Sequence, residues 1–398
     1  MPFGGVYPSG GIFGAGGIGT TIGTGSGGTL GSEPTGGGGV SGTGGAASLG
    51  GVTTAGGTSG NGGAGSGCAI DAGGASSGQC PSGKIPCNGF CVSPPPSTPQ
   101  CANGRCLVTL ASCQNPSGNL AVDGVNVYWN NKNTFTNADG TVVKAPANGG
   151  PLTVLVCGQY FPGDIAVDAT SVYWIYGGFS YGNVGKVMKV PVAGGEPITL
   201  VSGQNDIGLS IAVDATNVYW TNNESGTVMS VPLAGGGLTT LASGQTNPRA
   251  VAVDATSIYW VTTTGGTVMK LRSVGTSPVV LVSSQDNPWN ITLAPPSVYW
   301  ASSLDGAVKS APLDGGAVTT VVSGQKQVTG IAVDENNVYW TNFDGGTVMK
   351  APLGGGTPTT LASGQPGPSS IAVDSTSVYW ATYGSIDTEG AVMKLTPK

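Results

Sequence analysis

The chain has 398 residues, 72 of them glycine, a net charge of −6 and no histidine. Its 14 basic residues are scattered singly, which excludes the basic stripe that nucleic acid requires and disfavours an anionic membrane surface as a partner. Without histidine the commonest general base and metal ligand is missing, and with it Ser-His-Asp triads and His-based metal centres.

Residues 1–67 are mostly Gly, Ser, Thr and Ala, with Glu33 their only charge. Such a segment buries too little apolar surface to offset its ordering entropy, so a disordered, low-complexity tether is expected. It holds no basic n-region followed by an unbroken apolar h-region, and no run of transmembrane length. Six cysteines follow in 68–106: Cys68, Cys80, Cys87, Cys91, Cys101 and Cys106. An even count in a short Gly/Pro-rich stretch reads as a disulfide module whose cysteines pair among themselves, and this places the protein outside the cell or at its surface, with an export signal upstream of this start. The rival is a four-thiolate zinc site, since Cys87-x3-Cys91 and Cys101-x4-Cys106 approach that spacing without the usual two-residue knuckles. No metal and no cofactor is expected.

From residue 107 to 398 the chain repeats itself. Seven near-copies read LAVDGVNVYW (120–129), IAVDATSVYW (165–174), IAVDATNVYW (211–220), VAVDATSIYW (251–260), ITLAPPSVYW (291–300), IAVDENNVYW (331–340) and IAVDSTSVYW (371–380). A unit of about 40 residues cannot bury a core alone, so neighbours must cover one another's apolar faces. Alternation as in Ile211-x-Val213 and Val218-x-Trp220 is a strand period. The Asp-Ala-Thr-Asn between them is turn chemistry. A third run such as GTVMSVP (226–232) ends at Pro and Gly-Gly, and a fourth such as LTTLASGQ (238–245) completes one antiparallel blade. The seventh copy stops after its third strand, GAVMKLT (390–396), while a spare fourth strand, LVTLASCQ (107–114), lies ahead of the first copy. That permutation suits a ring. The expected fold is all-β: a seven-bladed β-propeller with three-plus-one closure, monomeric.

The Tyr219-Trp220-Thr221-Asn222 and Tyr339-Trp340-Thr341-Asn342 strands resemble the YWTD propellers of lipoprotein-receptor type, and the repeats are also similar to bacterial NHL and streptogramin-lyase-like propellers. The resemblance spans residues 107–398 and implies the propeller fold. Two departures are visible: the last Asp of YWTD is replaced in every blade, and the YWTD family typically has six blades. Streptogramin-lyase chemistry relies on histidine, which this chain lacks.

Repetition also sorts candidate residues. Asp123, Asp168, Asp214, Asp254, Asp334 and Asp374 recur in one turn and read as structural, with Ala294-Pro295-Pro296 replacing them in the fifth copy. Lys144, Lys189, Lys270, Lys350 and Lys394 read as solvated strand positions. Met188, Met229, Met269, Met349 and Met393 read as core. Two cysteines break the Ser-Gly-Gln ending within one position of each other, Cys113 and Cys157, and a disulfide between them is expected.

Within residues 107–398 the nine aromatics outside the VYW strands all fall in loops between the second and third strands or in connections to the next copy. They are Phe135, Tyr160, Phe161, Tyr176, Phe179, Tyr181, Trp289, Phe343 and Tyr383. In an up-and-down blade these two loop classes share one face. With Asp164, Asn223, Arg249, Asn290 and Asp344 they form the candidate ligand-binding set, suited to a protein hot spot or to sugar stacking. The reading from sequence is a non-enzymatic, extracytoplasmic binding or display module for a protein or glycan. The alternatives are a carboxylate-dependent hydrolase or lyase at the central channel, with Asp164 and Asn119 as first suspects, and a purely structural surface protein.

Overall fold

A computed structural model describes residues 85–87, 90–92, 99–132, 140–177, 185–204, 206–273, 277–383 and 390–398, with backbone only at 85–87, 90–92 and 209. The expected tether 1–67 lies outside them, as do the side chains of Cys68, Cys80, Cys87 and Cys91.

Each repeat folds as a four-stranded antiparallel sheet, and seven such sheets stand side by side in a ring. From the axis outward, blade one is Pro116–Val122, Asn126–Asn131, Gly140–Pro146 and Thr153–Gln159. Blade two is Ile165–Val167, Ser171–Tyr176, Gly185–Pro191 and Ile198–Gln204. Blade three is Ile207–Val213, Asn217–Asn222, Thr227–Pro232 and Thr239–Ala242. Blade four is Pro248–Val253, Ser257–Thr262, Thr267–Arg272 and Val279–Val282. Blade five is Pro288–Ala294, Ser297–Ser302, Ala307–Pro312 and Thr319–Val322. Blade six is Val328–Val333, Asn337–Asn342, Thr347–Pro352 and Thr359–Ala362.

Blade seven takes Pro368–Val373, Val378–Thr382 and Gly390–Thr396 from the end of the chain and its outer strand, Arg105–Gln114, from far upstream. Lys394 faces Val108 and Leu395 faces Leu107 in that pairing. A further short strand, Gln100–Ala102, continues the same sheet, and a Cys101–Cys106 disulfide ties it to the closing strand. The three-plus-one closure is therefore present. Among the described residues no helix is long and apolar enough to cross a membrane.

The Tyr-Trp dipeptide explains why the blades stack. Successive strand residues face opposite sides of a sheet, so each blade sends its Tyr to one neighbour and its Trp to the other. Tyr128 of blade one packs in a cluster with Trp174 of blade two, Tyr173 with Trp220, Tyr219 with Trp260, Tyr259 with Trp300, Tyr299 with Trp340, Tyr339 with Trp380, and Tyr379 with Trp129. Every seam of the ring has its own core, and all seven tryptophans are 0% exposed.

Polar groups repeat as well. At five of the seven seams the Trp indole N–H reaches back to the Gln at or just past the end of the previous blade's outer strand: Trp129 to Gln114 at 3.0 Å, Trp174 to Gln159 at 2.9 Å, Trp260 to Gln245 at 3.0 Å, Trp340 to Gln325 at 3.1 Å and Trp380 to Gln365 at 2.9 Å, while the Trp220 and Trp300 indoles have no acceptor. The repeated Asp serves its turn, as expected, and does one thing more. One Asp214 oxygen accepts from the Thr216 and Asn217 backbone, while the other accepts the Tyr219 hydroxyl at 2.7 Å. These bonds outweigh partial burial and hold the turn carboxyls below their usual range. In blade five, where the Asp is missing, the Tyr299 hydroxyl donates to the Leu353 carbonyl instead.

Two expectations need correction. The repeated lysines are not solvated: Lys144, Lys189, Lys270 and Lys394 lean onto the next blade and donate to the carbonyls of Val192, Leu233, Leu313 and Ala147. The long aliphatic stem lies over the sheet edge while the ammonium finds a carbonyl. Nor does Cys113 bridge to Cys157. Cys157 is disulfide-bonded, and Cys113 is not its partner. The two occupy consecutive places of the repeat. Cys113 takes the left-handed glycine position, with φ 58° beside 69° at Gly158 and 66° at Gly244, whereas Cys157 takes the place before it. Consecutive strand residues face opposite sides, so this offset points the two sulfurs apart.

Candidate functional site

Two groups of side chains fall outside the repeated core: a polar ring at the axis and an aromatic rim. The ring comes from the residue just before the first apolar residue of each repeat: Asn119, Asp164, Ser210, Ala250, Asn290, Gly330 and Ser370. Blades converge on the axis there, so these side chains lean onto the next blade. Asp164 is the centre of the arrangement. Its Oδ1 accepts the Asn119 backbone N–H at 2.8 Å, and its Oδ2 accepts the Asn119 side-chain amide at 3.1 Å and the Ile211 N–H at 3.1 Å. One carboxylate thus joins the inner strands of blades one, two and three. Ser210 repeats the gesture by accepting the Val251 N–H at 3.1 Å. Asn290 crosses the axis to Asn119, with Nδ2 to Oδ1 at 3.4 Å.

Asp164 is only 1% exposed. Burial lifts its carboxyl to about 6, against the pull of the Asn119, Ile211 and Ile165 donors. An unfolded aspartate ionises near 3.8. Between those two values the folded chain keeps a proton that the unfolded chain has lost, so rising pH removes stability, and the loss is complete above about 6. The turn aspartates act in the opposite sense and below this window. Asp164→Asn is therefore expected to flatten the dependence of stability on pH between 4 and 6, a slope worth about 3 kcal/mol in the parent. Urea titrations across that range give the answer, and an unchanged slope in the variant contradicts the assignment.

The rim gathers the loop aromatics. Tyr160 and Tyr176 lie 6.5 Å apart between centroids, and Lys186 Nζ sits 4.8 Å from the Tyr176 ring. Phe343 and Tyr383 meet edge-on at 6.1 Å. Lys132 is placed between Phe161, at 5.9 Å, and Tyr383, at 5.3 Å, and burial holds its ammonium below the usual range. A continuous line Phe161–Lys132–Tyr383–Phe343 thus spans connections of blades two, one, seven and six. On the far side the Arg249 guanidinium stacks 3.1 Å from the centre of the Trp289 ring. Asp344 is exposed, and Gln327, with its amide turned to face it, donates to both oxygens at 2.8 and 3.1 Å. The Asn223 N–H donates to the Asp206 carbonyl at 3.1 Å.

Phe161 carries a further mark. Its φ is 42°, the left-handed region, where the matching residues of other connections are Asn247, Asn287, Gln327 and Gly367. Asn and Gly tolerate that conformation, and a bulky aromatic adopts it at a cost of about 1–2 kcal/mol.

The candidate set therefore divides. Tyr160, Phe161, Phe343, Asp344 and Tyr383 lie in rim loops, with Asn223 on the same loop class, while Tyr176, Arg249 and Trp289 sit at the strand ends that meet that rim. Asp164 and Asn290 belong to the axis, because the residue before the first apolar position faces the channel. Phe135 and Tyr181, like Phe179, lie outside the described residues. The cations Lys132 and Lys186, seated on rim rings, were not among the sequence candidates. Their signal was position: each lies at an end of the same loops that carry the aromatics.

This geometry defines a seven-bladed β-propeller with a riveted ring and an irregular aromatic rim. No protein-family model matches the chain, and no curated protein matches it. Among solved structures it is similar to a streptogramin B lyase (10% identity, 74% of this chain and 98% of that one, TM-score 0.60) and to the computationally designed Ika8 protein (18% identity, 73% and 98%, TM-score 0.53). A chain of a nidogen/laminin complex also matches (18% identity, 55% and 88%, TM-score 0.46). At such identities the likeness is one of fold.

Proposed function

We propose that this propeller is a non-enzymatic, extracytoplasmic binding module that captures a protein or glycan ligand on its aromatic rim. The observation that carries the reading is Phe161. A bulky ring held in a left-handed turn position, where sister turns use Asn, Gln or Gly, is a local cost that folding does not require. Rings and cations from four blades meet beside it. The disulfides at Cys101–Cys106 and Cys157 support an oxidising location.

The test pairs binding with stability. A glycan array and a pull-down from native surface extracts identify what the parent captures. Phe161→Asn is expected to leave the melting temperature unchanged or raise it, by relief of about 1 kcal/mol of backbone strain, while abolishing capture. Tyr176→Ala and Trp289→Ala are expected to reduce capture with small stability losses. Full capture by all three variants, or unfolding of Phe161→Asn, contradicts the rim reading.

A further inference from the structure

Blade four departs from the repeat on its outer side. Where the third strand ends in Pro in blades one, two, three, five and six (Pro146, Pro191, Pro232, Pro312, Pro352) and in Thr396 in blade seven, blade four has Arg272. Where the outer strand of blades three, five and six begins with two threonines, blade four has Val279-Val280, each 56% exposed. Across the seam, Asp314 of blade five fills a place held by Asn148, Ala193, Ala234 and Gly354. Single apolar residues stand at these strand places in Val108, Val154 and Ile198, but blade four alone is apolar at both, beside an Arg and an Asp that no other described blade puts there. Arg272, Val279 and Asp314 line one pocket of about 290 Å³ with Lys270, Ser277 and Leu281.

The chemistry of this pocket points to one kind of occupant. Val279–Val282 pairs with Thr267–Arg272 on one side only, so its other edge presents unpaired backbone N–H and C=O groups. Blades three, five and six present two polar threonines at this edge, whereas blade four presents two valines. Val279 and Leu281 share one face of the strand and form an apolar wall. Lys270 and Asp314 largely cancel, being paired at 3.3 Å. Among the described residues no carboxylate pairs with Arg272, so the pocket keeps one positive charge.

We propose that blade four binds an extended, acidic peptide segment of a partner protein by strand addition to Val279–Val282. An apolar side chain of the segment enters the pocket and a neighbouring carboxylate meets Arg272. A second copy of this chain is a poorer occupant. Two four-residue strands bury far less than the roughly 1,200 Å² of a stable interface. The site is separate from the rim and does not rest on it.

The experiment uses the full chain and a fluorescent seven-residue peptide of alternating Val and Glu, read by anisotropy. Saturable binding is expected. It should fall about tenfold or more when proline replaces the central residue, which removes a ladder donor, and likewise with Arg272→Glu. The decisive variant is Val279→Thr with Val280→Thr, which restores the sequence of the sister blades and so keeps the fold; it too should lose binding about tenfold. Absence of saturable binding, or binding indifferent to these changes, overturns the proposal. So does a parent that sediments as a dimer and becomes monomeric in the double-threonine variant, since a second copy then covers the edge.

Discussion

Deleting residues 1–115 is expected to abolish cooperative folding of everything that remains. The deletion removes the outer strand of blade seven, Arg105–Gln114, and uncovers the ladder along Gly390–Thr396. It also takes Leu107 and Leu110 from two of the seam cores. Gln114 goes with them, although it accepts from both the Trp129 indole and the Asn131 amide of blade one, at 3.0 and 2.8 Å. One strand therefore closes its own blade and rivets that blade to the next. A solenoid deprived of an end repeat keeps most of its stability, because each repeat contacts only its neighbours. A ring deprived of its closing strand has a raw edge and no end cap, and edges of that kind aggregate. Thermal melts by circular dichroism, with light scattering, should show a broad transition and large species. A permuted chain that carries residues 105–114 after Lys398 on a short linker should recover one sharp transition. A truncated chain that stays monomeric and melts like the parent is incompatible with closure by this strand.

The second large effect lies in the tryptophans. Trp340→Ala should cost about 3–5 kcal/mol, the range for a fully buried large ring. The sharper comparison replaces Trp by Phe at two seams. At Trp340 the change deletes an indole bond to Gln325 of 3.1 Å and leaves that amide oxygen only the Asn342 amide, at 2.9 Å. At Trp220 the indole N–H is buried with no acceptor, so the same change removes an unsatisfied donor. Trp220→Phe should therefore be milder than Trp340→Phe by about 1–3 kcal/mol. Urea denaturation of the two single variants measures the difference, and equal losses refute the reading of the indole bonds as seam rivets.

These seams were only partly legible in the chain. The period, the strand alternation and the displaced fourth strand were enough for seven blades and their mode of closure, because each is a property of spacing. The Trp–Gln bond was present in the letters as a constant interval, Gln114 to Trp129 or Gln325 to Trp340, but spacing does not say that the outer strand of one blade lies against the second strand of the next. The lysines misled for the same reason: a charged residue on a strand reads as solvated until the neighbouring blade brings a carbonyl to it. The cysteines misled through register, since a difference of one residue reverses the direction of a side chain. At the candidate site, loop class placed the aromatics on one rim, while Asp164 and Asn290 were drawn to the axis by their position ahead of the inner apolar residue.

The interval of 15 residues between each Gln and its Trp partner has a consequence for how such a chain is inherited. A segment that begins at an outer strand and runs through the next three strands contains both halves of its rivet. Counted that way, the propeller region is seven whole segments with none divided, beginning at Arg105 and ending at Thr396. The segment is thus offset by one strand from the visible blade, and it holds the Gln–Trp half of a joint together with three strands of the next blade. Copying a segment carries the Gln and Trp of a joint into its new place, while the Tyr that completes the seam core comes from the segment before it, and the overlap of the two ends of the propeller region in blade seven is the remainder of that offset.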